Sequence, residues 1–567
     1  MKKPLLSEMT LREKIGQCLL VYQWDIYGKV EQNYDYTKSN IEDVIAIHKK
    51  EQFGVLFGEQ IGVYCADPGN AEDYVFGLNY QYKVRVPSEP YKKFMEKQST
   101  YLKYPPLVCG DFTNGGGNVF EDQSTTCRAP AIGAADSEEL TYELAANVGK
   151  ELRCAGVNWR WYPVVDLGNR NSTSIMRTFA PDDVDRNVKI ASAYIHGMQS
   201  AGVAACAKHF PGPDRYSSRD SHFTSTMNTS TMEEWWSEQG QVFQRVIDSG
   251  VYSVMISHSA FPAADDTKIN GKYIPSTLSK KIITDLLKEK MGFKGVVVTD
   301  GITMAALFSL LPYEELIVGL INAGNDVILG AKLPSGDILE KAVLDGRIPM
   351  SRIDDACQRV LDMKEKLGLF EDGHNDLPYK AEDIVPQTKK ISAEIARRSM
   401  TLVRDRNNLL PVDKSKIKKV SVIVSSHNEN FIDSLKPMKA AFEERGIEVY
   451  MQRRLKSTPE LEKIAADSDL IIYAAYVGPH CPKGGLRLFG AECETFYHAF
   501  NYGKERSIGV SFGYPYIHYD IMENADAFVN AYGTSADAQR AFVEAILGEI
   551  EFKGKSPVRL QPKANSY

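Results

Sequence analysis

Short apolar runs rich in β-branched residues recur through the first part of the chain, and each is followed by a polar or amphipathic stretch long enough for a helix. Repeated units of one buried strand and one crossover helix produce this pattern. Eight units are the number that closes into a (β/α)8 barrel, so a TIM-like barrel is the predicted fold. The eight runs are C-L-L-V-Y from Cys18, G-V-L-F-G from Gly54, P-L-V-C-G-D ending at Asp111, V-N-W-R-W-Y from Val157, V-A-A-C-A-K-H-F ending at Phe210, Y-S-V-M-I-S-H ending at His258, G-V-V-V-T-D ending at Asp300 and N-D-V-I-L-G from Asn325.

A second pattern begins after a polar region. Residues 1–375 are predicted to form the barrel with its trailing helices, 376–398 a linker region, and 399–567 a C-terminal domain. In the last part, strand-like runs again alternate with helical stretches, which predicts an open αβα sandwich. No G-x-G-x-x-G turn follows its first strand, so dinucleotide binding has no support, and we interpret this domain as a scaffold or partial lid. The runs are K-V-S-V-I-V, I-E-V-Y, L-I-I-Y-A-A-Y, S-I-G-V-S-F and A-F-V-N-A-Y.

Charge and cysteine content narrow the function classes. Lys plus Arg number 67 against 74 Asp plus Glu, so no basic excess exists to neutralise a phosphate backbone, and nucleic acid is not an expected partner. The first residues lack the uninterrupted apolar stretch of a secretion signal, and no run of roughly 18 apolar residues suits a membrane helix. Nine scattered cysteines without a C-x-x-C pair are typical of reduced thiols. We therefore expect a cytoplasmic protein with no membrane partner; its oligomeric state stays open.

Polar or ionisable side chains end several predicted strands or closely follow them. The C-terminal ends of barrel strands converge on the active site of such a fold. Any one of these side chains alone is as well explained by a helix cap or a local hydrogen bond. Their concentration at one rim is what predicts a site. The residues are Asp111, Arg177, Lys208, His209, His258 and Asp300.

The loop after the fifth predicted strand, K-H-F-P-G-P-D-R-Y-S-S-R-D-S-H, runs from Lys208 to His222. A carboxylate two residues before an imidazole can accept its ring N–H and orient the other nitrogen, which gives Asp220 an orienting role. Imidazole titrates near neutral pH, so His222 is a candidate general acid/base. The alternative is an Asx turn in a surface loop with an incidental histidine.

Asp300 is the candidate nucleophile. It ends the apolar strand of F-K-G-V-V-V-T-D-G-I-T-M, whose β-branched run fixes the backbone, and Gly301 permits close approach of a substrate. Formation of a covalent intermediate requires an ionised carboxylate on such a rigid element. The alternative is that Asp300 caps the following helix.

The set K-H-F-P-G…D-S-H, V-M-I-S-H, G-V-V-V-T-D-G-I-T-M and I-N-A-G-N-D resembles glycoside hydrolase family 3, in its β-N-acetylglucosaminidase (β-hexosaminidase) branch. L-R-E-K-I-G-Q-C-L-L near the N-terminus and A-R-R-S-M-T-L-V-R-D-R-N-N-L-L-P-V extend the resemblance over nearly the whole chain. It implies a retaining double displacement without metal or organic cofactor, in which Asp300 is the nucleophile and His222, paired with Asp220, is the acid/base.

The same resemblance implies that Asp111, Arg177, Lys208 and His209 contact hydroxyls of the terminal sugar, a role suited to charged donors and acceptors. His258 is grouped with them as a substrate-binding residue. The expected function is exo-acting removal of terminal β-linked N-acetylglucosamine from muropeptide- or chitin-type oligosaccharides. The loop after the third strand, D-F-T-N-G-G-G-N-V, lacks the glutamate and arginine of the family's usual D-x-E-G-G-R-V, which predicts a different subsite shape or aglycone preference. The natural aglycone stays open, because a muropeptide fragment and a chitin-derived oligosaccharide present the same terminal sugar.

Three other functions stay open. One is a phosphorylase of the same fold, because a neutral histidine repels an attacking phosphate less than a carboxylate does. Another is a β-glucosidase or β-xylosidase of the family, although those branches normally lack the D-S-H loop. The last is a sugar-binding protein without catalysis.

Overall fold

Eight parallel strands form a closed barrel in the computed structural model. Neighbours along the sheet run in the order β7-β6-β5-β4-β3-β2-β1-β8. The ring closes where Val298 bridges Val327 and the Thr299 N–H donates to the Val327 carbonyl at 3.1 Å. The predicted (β/α)8 barrel is confirmed: seven strands lie inside their apolar runs, and the eighth extends one residue past its run, to Ala331. The strands are β1 Leu19–Val21, β2 Val55–Phe57, β3 Leu107–Gly110, β4 Trp159–Arg160, β5 Ala204–Phe210, β6 Ser253–Ile256, β7 Val296–Thr299 and β8 Ile328–Ala331. The structure describes residues 2–22, 41–58, 64–65, 82–83, 85, 87–214, 217, 219–455, 457–478 and 487–560.

The barrel is a packed core because its strands are apolar on both faces. Side chains such as Leu20, Val55, Leu107, Trp159 and Met255 fill the interior in one cluster. Parallel strands are covered on their other face by helices, which explains why the sequence shows continuous apolar runs instead of alternation. The filled interior leaves the loops at the strand ends to build any site.

The C-terminal sheet has six strands in the order β9-β14-β13-β12-β10-β11. Five are parallel, and β9 is antiparallel to β14. Alternate side chains of β10 enter different apolar clusters, Val422 on one face and Ile423 on the other. The predicted αβα sandwich is confirmed. The strands are β9 Thr401–Asp405, β10 Lys419–Ser425, β11 Glu448–Arg453, β12 Leu470–Ala475, β13 Ser507–Ser511 and β14 Ala527–Asn530.

Helices surround both sheets. They are α1 Leu11–Gln17, α2 Ile41–Glu51, α3 Ser88–Ser99, α4 Ala129–Ala135, α5 Glu138–Cys154, α6 Val184–Ser200, α7 Met232–Ser237, α8 Gln239–Asp248, the π-helix Lys281–Lys290, α9 Ala305–Phe308, α10 Tyr313–Ala323, α11 Ser335–Leu344, α12 Met350–Lys366, α13 Ala381–Ser399, α14 Phe431–Ser434, α15 Lys436–Glu443, α16 Thr458–Asp467, α17 Ala491–Tyr497, α18 Ile517–Asp520 and α19 Ala536–Ile546. None of the helices in the described ranges combines the length and apolarity needed to cross a membrane.

Most of the region 376–398 is helical and lies within α13. This helix packs against α4 and α5 of the barrel and against α19 of the sandwich. The Ser392 hydroxyl accepts a hydrogen bond from the Cys127 N–H at 3.0 Å, and Arg397 pairs with Glu544 at 2.9 Å. α13 therefore connects the core of the barrel to the core of the sandwich. The division of the chain into 1–375, 376–398 and 399–567 stays a prediction.

The sandwich also touches the loop after β4. The Tyr514 hydroxyl donates to the Arg170 carbonyl at 2.5 Å. Ile175 and Met176 of the same loop join an apolar cluster of the C-terminal domain. Arg177 follows directly, so the sandwich supports the loop that carries one of the predicted site residues.

Candidate active site

Asp300 lies directly after β7 at the floor of the barrel mouth. Its backbone N–H donates to the Ile256 carbonyl of β6 at 2.9 Å, which continues the sheet by one residue. Its carboxylate accepts a hydrogen bond from the Gly301 N–H at 2.8 Å. A carboxylate fixed at one oxygen by its own turn presents the other oxygen in a defined direction, as a nucleophile requires.

The charges around Asp300 keep it ionised. Burial alone would raise the pKa of its carboxyl group, but neighbouring imidazoles and the Gly301 N–H outweigh burial and lower the pKa to about 2. The imidazoles are those of His209, His258 and His222. Three residues that the sequence predicts for the site, His209, His258 and His222, thus lie around Asp300, which it also predicts.

His258 holds the turn that carries Asp300. It is 1% exposed, and its Nε2 lies 2.8 Å from the Gly301 carbonyl while Nδ1 lies 3.0 Å from the Thr277 hydroxyl. A carbonyl can only accept, so Nε2 carries a proton. Burial lowers the pKa of His258, which favours the neutral ring. His258 therefore contacts the protein on both sides of its ring, and its geometry indicates support of the nucleophile's turn.

Asp220 and His222 form a dyad on the loop after β5. One oxygen of Asp220 accepts from the backbone N–H of His222 at 2.9 Å and from ring Nδ1 at 2.7 Å. Nε2 is then the ring nitrogen that is the candidate for proton exchange with a substrate. Burial would lower the pKa of His222, but Asp220 and the nearby Asp300 raise it above 6.5. Burial would raise the pKa of Asp220, but the hydrogen bonds from His222 lower it below 3.8.

Two backbone hydrogen bonds join this loop to the segment after the nucleophile. The Ala305 N–H donates to the His222 carbonyl at 3.2 Å, and the Ala306 N–H donates to the Ser221 carbonyl at 3.1 Å. Asp300 lies only five residues before Ala305. The backbone at 221–222 is therefore tied directly to the segment that follows Asp300.

Lys208 and Asp111 form an ion pair between the ends of β5 and β3. Lys208 is 3% exposed, whereas the Asp111 side chain is 38% exposed. Arg160 of β4, 1% exposed, braces the β3 loop from below by donating to the carbonyls of Phe112 at 2.5 Å and Thr113 at 3.0 Å. A buried lysine and a half-exposed carboxylate thus face the barrel mouth together, in an arrangement suited to sugar hydroxyls.

His209 has a partner that the sequence analysis missed. Asp166, 2% exposed, accepts from the backbone N–H of His209 at 2.6 Å and from ring Nδ1 at 2.8 Å. The sequence carries a partial signal for Asp166, which ends the apolar pair V-V after the fourth run. Pro163 separates this pair from the run, so Asp166 was not recognised as a strand-end residue. Asp166 orients His209 as Asp220 orients His222.

Arg177 completes the rim. Burial and the hydrogen bonds within the dyad act most strongly on the pKa of Asp220 and of His222. The guanidinium of Arg177 lies near enough to act on them too, and it lowers the pKa of each. The sequence-predicted residues therefore meet at one end of the barrel, although their roles stay predictions. No group of three histidine, cysteine or carboxylate side chains suited to a metal ion occurs in the part of the chain that the structure describes.

Comparison with known proteins places the chain in a family. A model of the glycosyl hydrolase family 3 N terminal domain matches residues 10–363, more than half of the chain. The chain belongs to glycosyl hydrolase family 3. It is accordingly a glycosidase, and its substrate is a carbohydrate.

Two relatives are similar to this chain over long stretches. A beta-N-acetylglucosaminidase/beta-glucosidase from Cellulomonas fimi is 28% identical over 482 residues, which cover 80% of this chain and 83% of that protein. A beta-hexosaminidase from Stenotrophomonas maltophilia is 30% identical over 234 residues, 40% of this chain and 67% of that protein.

Solved structures share the fold over nearly the full length. The beta-glucoside phosphorylase BglX has a TM-score of 0.81 at 24% identity, covering 98% of this chain and 94% of its own. A family 3 beta-N-acetylglucosaminidase from Paenibacillus sp. str. FPU-7 has a TM-score of 0.77 at 22% identity, covering 97% and 99%. The barrel and sandwich together are thus one known architecture.

Proposed function

We propose that this chain is a retaining, exo-acting β-N-acetylglucosaminidase that removes terminal β-linked N-acetylglucosamine from muropeptide- or chitin-type oligosaccharides. The observation that carries the proposal is the Asp220–His222 dyad, bonded through its backbone to the segment after Asp300. The acetylglucosaminidase and hexosaminidase names of the relatives agree with it.

The first half of the reaction is formation of a glycosyl-enzyme. A carboxylate oxygen of Asp300 attacks the anomeric carbon while His222 Nε2 gives its proton to the glycosidic oxygen, so the leaving sugar departs as a neutral alcohol. The pKa of Asp300, about 2, keeps the nucleophile ionised at neutral pH. The raised pKa of His222 favours the protonated imidazole that the acid role requires.

The second half releases the sugar. Neutral His222 removes a proton from a water molecule, which attacks the anomeric carbon, and the bond to Asp300 breaks. Asp220 stabilises the imidazolium in both directions because it accepts the Nδ1 hydrogen bond throughout. The configuration at the anomeric carbon is inverted twice and so retained.

Binding of the terminal sugar falls to the ion pair and its neighbours. Asp111 offers a half-exposed carboxylate oxygen, and Lys208 and His209 contribute from the same strand end. Arg177 lies on the side of the dyad. Groups that are already oriented by Asp166 and Arg160 would bind hydroxyls without reorganisation of the protein.

A second candidate is phosphorolysis, in which inorganic phosphate takes the place of water. The guanidinium of Arg177, near enough to lower the pKa of His222, favours it, because an attacking anion would meet a guanidinium and would have an imidazole in place of a carboxylate as base. Phosphate dependence of turnover separates the two candidates.

The test is release of 4-nitrophenol from its β-N-acetylglucosaminide, in phosphate-free buffer and again with added phosphate. Release without phosphate supports the hydrolase, and release that requires phosphate supports the phosphorylase. Asp300→Asn should lower kcat by roughly 10⁴-fold or more, whereas Asp266→Asn, at a carboxylate 85% exposed, is the matched control. An Asp300→Asn protein with more than a tenth of the wild-type rate would overturn the assignment of the nucleophile.

A cytoplasmic location is also part of the proposal. Cys18, Cys109, Cys127, Cys154, Cys206, Cys357 and Cys493 are not joined in disulfides. Reduced thiols in such number favour a reducing compartment. Fractionation of cells that produce the protein tests this location.

A further inference from the structure

Exposed apolar side chains lie beside the proposed acid/base. Phe223 is 54% exposed and directly follows His222, while Phe308 is 48% exposed and lies one helical turn after Ala305, whose N–H is bonded to the His222 carbonyl. Met227, on the same loop as Phe223, is 38% exposed. Single exposed apolar residues need no explanation, but several around one functional group mark a binding surface.

The backbone holds these side chains in position. Met227 pairs with Ala260 in a parallel bridge, flanked by hydrogen bonds from the Ala260 N–H to the Thr226 carbonyl at 3.0 Å and from the Asn228 N–H to the Ala260 carbonyl at 2.7 Å. At the other end, the Phe223 N–H donates to the Asp220 carbonyl at 3.1 Å. The exposure of Phe223 therefore belongs to an anchored loop.

A cation steadies the second ring. The Lys332 Nζ lies 4.9 Å from the centroid of the Phe308 ring and 5.0 Å from that of Tyr313. The ammonium group occupies one side of the Phe308 ring, since a cation is attracted to an aromatic face. Half of the Phe308 surface still faces solvent.

We propose that Phe223 and Phe308 form an aromatic platform that binds the leaving-group sugar, the residue directly beyond the bond that is cleaved. The inference rests on the proposed function. His222 must come within about 3 Å of the glycosidic oxygen to protonate it, and the leaving sugar is bonded to that oxygen. The side chains next to His222 therefore border the leaving group.

The chemistry of a pyranose fits such a platform. One face of the ring presents C–H groups, which pack on an aromatic ring and remove apolar surface from water. The barrel tryptophans Trp159, Trp161 and Trp235 are 0%, 2% and 1% exposed and have no face to offer. Phe223 and Phe308 provide exposed rings at the place where the leaving sugar must lie.

The experiment compares two donors that share the terminal sugar. N,N′-diacetylchitobiose has a sugar leaving group, whereas β-N-acetylglucosaminyl fluoride has none that can reach a ring. Phe223→Ala and Phe308→Ala should each lower the ratio of kcat/KM for the disaccharide to that for the fluoride about fivefold, with a larger loss in the double variant. Phe223→Tyr, which keeps the ring, should restore the ratio.

Leu344→Ala, at a side chain 77% exposed near the end of α11, is the matched control. Loss of both activities by the same factor, or of neither, would overturn the platform. If Phe223→Ala leaves the ratio unchanged but alters the sedimentation coefficient, the platform is overturned as well, because this face would then be an interface between two copies of the protein. Wild-type protein inactive on both donors would remove the proposed function itself, and the platform with it.

Discussion

The buried carboxylate of Asp166 holds His209 at two points, accepting from its backbone N–H at 2.6 Å and from its ring Nδ1 at 2.8 Å. The first contact fixes the end of β5, and the second fixes the direction of the imidazole. Asp166 is 2% exposed and both of these contacts go to His209, so it is a positioning residue, and its removal should affect binding and catalysis through His209.

Asp166→Asn keeps the shape of the side chain but removes its charge. We expect kcat/KM to fall about 10- to 100-fold, the usual loss when an orienting partner is removed. The loss should be equal for activated aryl glycosides and for disaccharides, because His209 does not serve the leaving group. Asp185→Asn, at a carboxylate 86% exposed on α6, is the control. A loss confined to disaccharides would argue against the positioning role.

His222→Ala should act in the opposite way. An aryl leaving group such as 4-nitrophenolate departs without protonation, so its release should fall much less than the cleavage of a disaccharide, by a factor of roughly 10² or more between the two. Parallel kinetics on the two substrates measure the difference. Equal losses would remove His222 from the acid role.

The pH profile should show one limb within the accessible range. Glycosylation requires Asp300 ionised and His222 protonated, so kcat/KM should be level above a pKa of about 2 and fall as pH rises through the pKa of His222, above 6.5. Asp220→Asn removes the carboxylate that raises this pKa, so the basic limb should move to lower pH. A basic limb unchanged in Asp220→Asn would contradict the assignment.

Lys364 gives a prediction about stability. It is 0% exposed, donates to the Gln17 side chain at 2.5 Å, and burial lowers its pKa to about 7. Between pH 7 and about 10.4 the unfolded chain carries the proton that the folded protein lacks, so the free energy of unfolding should rise with pH in that window. Below pH 7 the destabilisation is fully present.

Lys364→Met should raise the free energy of unfolding by roughly 2 kcal/mol at pH 6, an advantage that shrinks as pH rises towards 10. Denaturant unfolding of the wild-type protein and of Lys364→Met at several pH values gives, for each, the slope of the free energy of unfolding against pH. The change in slope is the decisive quantity, since an unpaired Gln17 oxygen shifts stability equally at every pH. Parallel pH curves for the two proteins would contradict the buried charge.

The barrel was predictable because each strand is buried on both faces and so appears as an apolar run. The edge strand β9 was missed because only Thr401 is buried and Arg404 and Asp405 interrupt any such run. Most of the rim could be found from polar residues at strand ends. Asp166 was not found in this way, because Pro163 separates it from β4.

Contacts made by the backbone could not be predicted from the sequence, for another reason. Every residue other than proline has an N–H, so nothing in the letters of Ala305 or Ser221 reveals that their peptide groups meet. The bracing by Arg160 is similar: a charged residue inside a strand indicates that it has a partner, but the carbonyls of Phe112 and Thr113 carry no sequence signal.

The two peptide links between 221–222 and 305–306 have a consequence for how this protein tolerates sequence change. Because neither link uses a side chain, substitutions at Ala305, which is exposed, can accumulate without shifting the proton donor relative to the nucleophile, whereas Ala306 is 4% exposed and a larger side chain there would need repacking. Proline is the exception, since it has no N–H to donate. The spacing of the two reacting groups is thus inherited with the fold itself, while the surface around them is free to diverge towards other leaving groups.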